Sequence, residues 1–404
     1  MKLLFIHEVN WRRKVVFEIH DFPELLSLQG HEVVFIDFPE GEPRRGLRRF
    51  LDLKTEVFPN QSRAHEGSSV EVRTPGRVFR PPLDRLFASI TQVPAIWRAL
   101  RDDQFDAVVL YGVPTNGWQA VLIAKHFGVP VLCRTVDVSH ALRKSIFKPL
   151  VKLAEHSVYK RASWISTNNV ALRDYILEHG GDPKRISVDY PGLDFDRFYR
   201  GDKNPALLDR YGLRKSDRIV MFMGTFYRFA GLDWFIEEFA DHLRADPDRK
   251  LVLVGGGEQD SSLRTLVDRL DLGSSVVFTG FVDYDELADH LRLADVGIAP
   301  FLPQLATDCA LVTKVLQYVA SGVATVCTPL PGTRGLLDEG EGVLYRNPGA
   351  EFVDEVNRLL ATTADRVRTA TAGHFRLVEQ CSWAVNLGIM EARIVVSGDD
   401  RPHS

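Results

Sequence analysis

Apolar residues in this chain fall into short runs of four or five, separated by longer stretches in which they recur every three or four positions, and the two patterns alternate for most of its length. A short run bounded by turn residues predicts a buried strand, and the three-to-four spacing predicts a helix with one apolar face. Residues 3–6 form the first run, with His7, Glu8, Asn10 and Trp11 behind it. Val15, Val16, Ile19, Phe22, Leu25 and Leu26 then trace a helical face that Gly30 ends. Pro23 interrupts this face, so either the helix kinks there or a second segment begins behind Asp21. A strand follows at 31–38. From 39 to 82 the pattern fades into Arg44, Arg45, Arg48, Arg49, several prolines and glycines and the polar run NQSRAHEGSS, which predicts an irregular excursion on a domain rim. Regular winding returns at 95–100, with strands at 107–111 and 131–135 and a helix at 118–127. Residues 141–162 read as a basic amphipathic helix. Arg143, Lys144, Lys148, Lys152, Lys160 and Arg161 oppose Leu142, Ile146, Phe147, Leu150, Val151 and Leu153.

The alternation restarts in the second half, with strands at 219–223, 251–254, 276–279, 295–299 and 324–328 and helices at 232–243, 262–270 and 286–293. A further helix between the last two strands carries Leu311, Val315, Leu316 and Val319 on one face, and Gly322 stands where a left-handed cap would stop it. Strand, helix and parallel strand make a crossover unit whose helix N-terminus faces the crevice beyond the carboxyl ends of the strands. Free backbone N–H groups and the positive end of the helix dipole stabilise an anion there, and Thr313 and Lys314 add a hydroxyl donor and a full charge. Two glycine-rich turns, GTFYRFAGL at 224–232 and VGGGE at 254–258, let backbone approach a ligand closely. Arg228 is the one cation in the first of them. In the first half, Asp137 and His140 follow a strand, at the edge where a doubly wound sheet holds its ligands.

Composition narrows the choices. With 404 residues, 45% of them apolar, the chain has room for two domains with a core in each. The net charge of −4 gives no general attraction to nucleic acid. Cys133, Cys309, Cys327 and Cys381 are far apart, so neither a zinc site nor a disulfide framework is suggested and a reducing cytoplasm fits. No apolar run reaches the length of about 18 residues that spans a bilayer, and the N-terminal apolar stretch is too short for a signal peptide.

The order Lys314, Gln317, Tyr318, Ala320, Ser321, Gly322 before a β-branched strand resembles a pattern of the retaining glycosyltransferases of family 4. The two glycine turns, FTGFVDYDEL, ADVGIAPF and the crossing PGLDFDRFYRG carry the resemblance over nearly the whole chain, most clearly from 166 to 332. It implies an α/β architecture of the GT-B class, two Rossmann-like doubly wound domains facing each other across a cleft. Residues 1–191 would bind the acceptor and 192–375 the nucleotide-sugar donor. Residues 376–404 would pack a helix back on the first domain through Trp383, Leu387 and Ile389, and end in a disordered tail from Ser397.

The implied activity is transfer of a sugar from a nucleotide diphosphate sugar, UDP- or GDP-linked, to an acceptor hydroxyl with retention at the anomeric carbon, in glycan, glycolipid or polysaccharide synthesis. The nucleotide sugar is a co-substrate, and no metal or other cofactor is expected. The expected partners are that donor, a carbohydrate or lipid-linked acceptor and no nucleic acid. The expected place is the cytoplasm, and two readings stay open for the four arginines and the basic segment: peripheral contact at the inner face of the cell membrane, or solvated faces of a cytosolic enzyme. By the resemblance, catalytic roles fall on Asp137, His140, Arg228 and Lys314. Donor contacts fall on Gly224, Thr225, Gly256, Asp308, Cys309, Ala310, Leu311, Thr313 and Gln317.

The sequence departs from the family pattern at several of these positions. Gln317 and Cys309 stand where two glutamates are usual, Thr225 and Ala230 where a basic pair grips the diphosphate, and Val136 at a histidine position. His140 either substitutes for that histidine from a neighbouring turn or serves as a capping or surface residue. Two other readings stay open: a non-catalytic nucleotide-sugar-binding protein, and a GT-B enzyme of another reaction type such as an epimerase.

Overall fold

A computed structural model describes residues 1–40, 51–79, 83–111, 115–141 and 147–399, with backbone alone at 398 and 399. Contacts divide the chain into two compact units, Met1–Pro191 with Ala384–Ser404, and Gly192–Trp383. Arg44, Arg45, Arg48 and Arg49, like Arg143 and Lys144, lie outside the described residues.

The first unit opens with β1 (Lys2–Ile6), α1 (Glu18–Leu28) and β2 (Glu32–Ile36). Pro23 lies inside a single α1, so neither a kink into two segments nor a cap at Asp21 is needed. Proline has no N–H to give the carbonyl four residues back. The Trp11 indole supplies the missing donor, bonding Ile19 O at 2.9 Å. The irregular excursion expected over 39–82 is partly ordered, because β3 (Glu56–Gln61) and β4 (Val70–Thr74) form an antiparallel pair whose second strand adds in parallel to β2. The intervening loop hides its regularity because Glu24, in the interior of α1, organises it. Its carboxylate accepts from the backbone of Arg63, Ala64 and His65 at 2.7–2.9 Å and from the Ser68 hydroxyl at 3.0 Å. The winding then runs through α2 (Ser89–Asp102), β5 (Ala107–Tyr111), α3 (Gly117–His126), β6 (Val131–Thr135), α4 (Lys148–Tyr159), β7 (Trp164–Thr167), α5 (Val170–Glu178) and β8 (Ile186–Val188). Within the described part of the basic segment 141–162, α4 begins after Phe147 with Pro149 in its first turn. The sheet order is β3-β4-β2-β1-β5-β6-β7-β8.

The second unit contains α6 (Pro205–Arg210), β9 (Arg218–Thr225), α7 (Leu232–Ala245), β10 (Arg249–Gly256), α8 (Asp260–Arg269), β11 (Val276–Gly280), α9 (Tyr284–Leu291), β12 (Val296–Ala299), α10 (Leu305–Asp308), α11 (Thr313–Ala320), β13 (Ala324–Cys327), α12 (Pro331–Arg334), β14 (Val343–Tyr345), α13 (Ala350–Ala361) and α14 (Thr363–Cys381). Its six strands are parallel, in the order β11-β10-β9-β12-β13-β14. The chain winds outward from β9 through β10 to β11, then returns to the other side of β9 with β12. The switch in direction therefore lies between β9 and β12, and the carboxyl ends of these strands are where such a sheet leaves room for a ligand. The last helix, α15 (Trp383–Asp399), begins in this unit and belongs from Ala384 onward to the first. Leu387 is buried, Ile389 is only partly so, and Met390 and Ile394 complete the apolar stripe. Ser397, expected to open a disordered end, lies within α15 with its hydroxyl bonded to Ile394 O at 2.6 Å.

A buried ionic chain crosses the first unit. The Arg134 guanidinium in β6 grips the Glu18 carboxylate with two bonds of 2.6 and 2.9 Å, and Tyr111 of β5 donates to the same carboxylate at 2.8 Å. On its other side Arg134 donates to Ser166 Oγ at 2.9 Å and Asp189 O at 2.7 Å. Burial opposes the Arg134 charge, but Glu18 more than offsets this and its pKa stands above the ordinary value. The first turn of α1 is thereby tied to β6, β7 and the segment after β8. Arg134→Met would leave Glu18 without its counter-charge and is expected to destabilise the first unit by about 3–5 kcal/mol. Chemical denaturation of the full chain measures this as a lowered midpoint of that unit's transition, with partial recovery in Glu18→Gln/Arg134→Met. An unchanged midpoint would show that the pair does not hold the unit together.

Candidate functional site

The carboxyl ends of β9 and β12 and the start of α11 make the site in the second unit. Tyr318 fixes how α11 lies on the sheet. Its ring covers Gly297 of β12, where a side-chain carbon would come within 2.8 Å, and its hydroxyl bonds Met221 O of β9 at 3.0 Å. Lys314, one turn earlier on the same helical face, is thereby aimed at the end of β9. Its ammonium sits 3.8 Å from the centre of the Phe222 ring and 4.8 Å from that of Phe301. Gly224 closes the third side. It adopts φ +131°, which favours glycine, and a side-chain carbon there would stand 2.7 Å from Lys314 Nζ and push the ammonium aside.

Among the described residues, Lys314 has no carboxylate within ion-pair distance and no hydrogen bond. Some of its side chain reaches the surface, but the ammonium packs against rings and backbone. This desolvation lowers its pKa from the usual 10.5 to about 7. The nearby Cys327 pulls the other way, while its own thiol is driven up by burial. The two rings stabilise the cation through their negative faces without neutralising it. The Val312 N–H is already bonded to the buried Thr333 hydroxyl at 3.2 Å, which leaves Thr313 and Lys314 as the first helical amides without intrahelical acceptors. A cation lacking a partner, two free amides and the exposed Thr313 hydroxyl form a receptor for an anion with several oxygens.

The glycine turns are built into one another. Gly255 and Gly256 pair in register with Gly224 and Thr225, and Phe226 N donates to Gly256 O at 2.8 Å. Thr225 lies in the bend, where its carbonyl accepts from Tyr227 N at 2.9 Å. Arg228 is exposed on the 3-10 turn that follows. Its amide bonds Glu258 Oε1 at 3.1 Å and its guanidinium makes no ion pair among the described residues. Asp308 ends α10 half-buried, with desolvation raising its carboxyl pKa. The neighbouring Cys309 and Leu311 are buried, Ala310 is partly so, and Gln317 lies partly exposed one turn on from Thr313.

Asp137 and His140 belong to the first unit. The Asp137 carboxylate accepts from Ser139 Oγ at 3.1 Å. His140 is buried and engages Glu155 through both its backbone N–H at 3.1 Å and its ring Nδ1 at 2.5 Å, so this imidazole is held as the buried partner of a carboxylate. At this unit's own reversal point, between β1 and β5, His7 stacks on Tyr111 at 5.8 Å. Burial, aided by Lys14, His20 and Arg85, pushes the His7 pKa down to about 3. Among the described residues no group of three or more His, Cys, Asp or Glu side chains converges as a metal site, and no helix is long and apolar enough to cross a membrane.

Sequence reasoning passed over Phe222 and Phe301, which read as ordinary apolar positions, and Phe281. Phe281 is well exposed, and its ring lies against Gly256, where a side-chain carbon would stand 3.0 Å from it. An aromatic directly after the Gly280 that ends a strand, facing a glycine turn, was the available signal.

Comparisons with known proteins bear on the family and the fold. Residues 18–192 match the family model described as glycosyl transferase 4-like domain, and residues 217–362 match that of glycosyl transferases group 1. A D-inositol 3-phosphate glycosyltransferase of Geodermatophilus obscurus is 27% identical over 61% of this chain and 56% of its own. The first curated relatives are matched over 34–56% of their own length. Among solved structures, sucrose-phosphate synthase from Thermosynechococcus elongatus shares the fold with a TM-score of 0.75 over 97% of both chains at 16% identity. HepE of Anabaena in complex with UDP and glucose does so with a TM-score of 0.73 over 98% of this chain and 99% of that one, also at 16% identity.

The lowered Lys314 pKa predicts a pH dependence for an anion bound beside it. An anion beside the ammonium favours its charged form, so binding should raise the pKa. Affinity should then fall as pH rises above about 7, and binding near pH 8 should take up a proton that binding near pH 6 does not. Calorimetry with inorganic pyrophosphate, in buffers of different ionisation enthalpy, reads this as the difference between the wild type and Lys314→Met, and the substitution should itself cost about 1.5–3 kcal/mol of binding. The sign for stability follows from the same shift. Between about 7 and 10.5 the unfolded chain holds the proton that the folded one has released, so this lysine makes stability rise with pH across that window, a slope Lys314→Met should lose. Identical proton uptake in the two proteins would place the anion elsewhere.

Proposed function

The chain belongs to the glycosyl transferases of group 1, and from that premise we propose that it moves a sugar from a nucleoside diphosphate sugar to the hydroxyl of a carbohydrate or lipid-linked acceptor, with retention at the anomeric carbon. The observation that carries this reading is the uncompensated ammonium of Lys314, held on two phenyl rings beside the free amides of α11. An ammonium so placed suits a diphosphate whose negative charge grows as the bond to the sugar breaks. Lys314 and the helix start take the charge on the leaving diphosphate, and Arg228 adds a second cation from the neighbouring turn. The acceptor oxygen attacks on the face from which the diphosphate departs, and an oxygen of that departing group receives the acceptor proton. In this reading the chain's own cations supply the neutralisation, so turnover is independent of added metal. Phe281 offers its exposed ring to the base of the nucleotide. UDP is the first nucleotide to try, since the Anabaena neighbour holds UDP.

A second reading is supported by Gln317 and Cys309, neutral groups where the resemblance leads one to expect carboxylates. A protein that binds nucleotide sugars without turning them over would retain the Lys314 seat and lose the chemistry.

Incubation with UDP- and GDP-sugars and a panel of acceptors, in the presence of a chelator, separates these readings. Nucleoside diphosphate release that depends on acceptor is expected for the transferase. Binding without release supports the second reading, and interconversion of donors without acceptor would mark an epimerase. Arg228→Ala should lower the rate at saturating donor on the order of tenfold, and a change in KM alone would make Arg228 a plain binding residue. Phe281→Ala should weaken nucleoside diphosphate binding by about 1–3 kcal/mol while leaving pyrophosphate binding unchanged. Equal loss for both ligands would remove the base from that ring.

A further inference from the structure

Three helices of the first unit carry their apolar residues on the outside as well as the inside. The connections β4 to β5, β5 to β6 and β6 to β7 all step the same way across the sheet, so right-handed crossovers put α2, α3 and α4 on one face. α3 packs against both neighbours, and the Gln119 amide donates to Ser89 Oγ at 3.1 Å to tie the start of α3 to that of α2. On α3, Trp118 (41% exposed) and Leu122 (43%) stand four residues apart with Lys125 at the next turn. On α4, Leu150 (62%) and Leu153 (66%) share a face beside Lys148 and Lys152. Ile90 of α2, next to Ser89, is also exposed. A helix that faces water on its outer side carries polar residues there, whereas these set tryptophan, leucine and isoleucine among lysines.

The charges on α3 and α4 have one sign, whereas α2 ends with Arg101 paired to the exposed Asp102. α3 contains no acidic residue, and the one acid of α4, Glu155, is buried against His140. The outward faces of both helices therefore present lysines with no carboxylate, in a chain whose net charge is −4. Tryptophan and leucine bordered by lysine suit the boundary between headgroups and acyl chains of an anionic bilayer. A second copy of this face would suit it poorly, because a two-fold pairing would set lysines against lysines.

We propose that the α2–α3–α4 face docks the protein on an anionic membrane surface, with Trp118, Leu122, Leu150 and Leu153 entering the headgroup layer and Lys125, Lys148 and Lys152 meeting lipid phosphates. This inference is independent of the Lys314 site.

Cosedimentation of the full chain with phosphatidylcholine vesicles, with and without phosphatidylglycerol, across a salt series tests it. Binding should require the anionic lipid and weaken as salt rises. Lys148→Glu/Lys152→Glu should lower the partition coefficient by about fivefold or more per lysine, and Leu150→Ser/Leu153→Ser by about tenfold or more, with the circular dichroism spectrum, thermal transition and pyrophosphate affinity unchanged. Because all four positions are exposed, the variants are expected to fold. No binding to anionic vesicles at low salt overturns the proposal, as does binding that none of these substitutions alters. Sedimentation of the protein alone is the companion measurement: a dimer that the leucine substitutions dissociate would assign the face to self-association and likewise overturn it.

Discussion

Among the described residues no carboxylate stands beside the Lys314 ammonium, and this sets the design of the second unit's upper edge. Holding an ammonium away from water costs free energy unless something repays the lost hydration, and in this site the groups in contact with it are two phenyl faces and a backbone. The rest of the edge can be derived from that arrangement. Tyr318 must lie flat so that Lys314 points at β9, which needs Gly297 beneath the ring. The end of β9 must leave space for the ammonium, which needs Gly224. The following strand must then nest against the same bend, which brings Gly255 and Gly256 into register with Gly224 and Thr225.

The first unit treats its buried cation in the opposite way. Arg134 is almost fully buried, yet its guanidinium donates to four acceptors, two of them on a carboxylate. Such a satisfied group specifies geometry and has little left to offer a ligand. His140, matched with Glu155, follows the same rule. The contrast separates polar groups that hold the structure from those free to act, and it singles out Lys314 although neither strand nor helix around it is unusual.

How much of this could be read from sequence depended on the range of the interaction involved. The parallel strands of both units and the helix behind Thr313 were legible because burial imposes local periodicity, and Gly322 was legible as a stop because φ +76° is easy only for glycine. Lys314 could be picked out because a cation in the first turn of such a helix has a local physical meaning. Phe222 and Phe301 could not, since an aromatic ring below a cation and one in a core share the same sequence pattern. The β3–β4 pair was missed because the segment before β4 owes its order to Glu24, some 40 residues away in sequence. The early end assigned to the last helix arose similarly, since α15 takes its support from residues of the first unit.

The bond from Trp11 to Ile19 has an evolutionary corollary. A proline inside a helix is ordinarily a defect, but here its missing donor is replaced by an indole from a preceding loop, so the two residues form one unit of inheritance. A lineage that replaced Trp11 while keeping Pro23 would strand a buried carbonyl. One that replaced Pro23 first would give that carbonyl a second donor and leave Trp11 held by its packing alone. The order of substitution is therefore constrained to one direction, and sequences descended from this one should pass through loss of the proline before loss of the tryptophan.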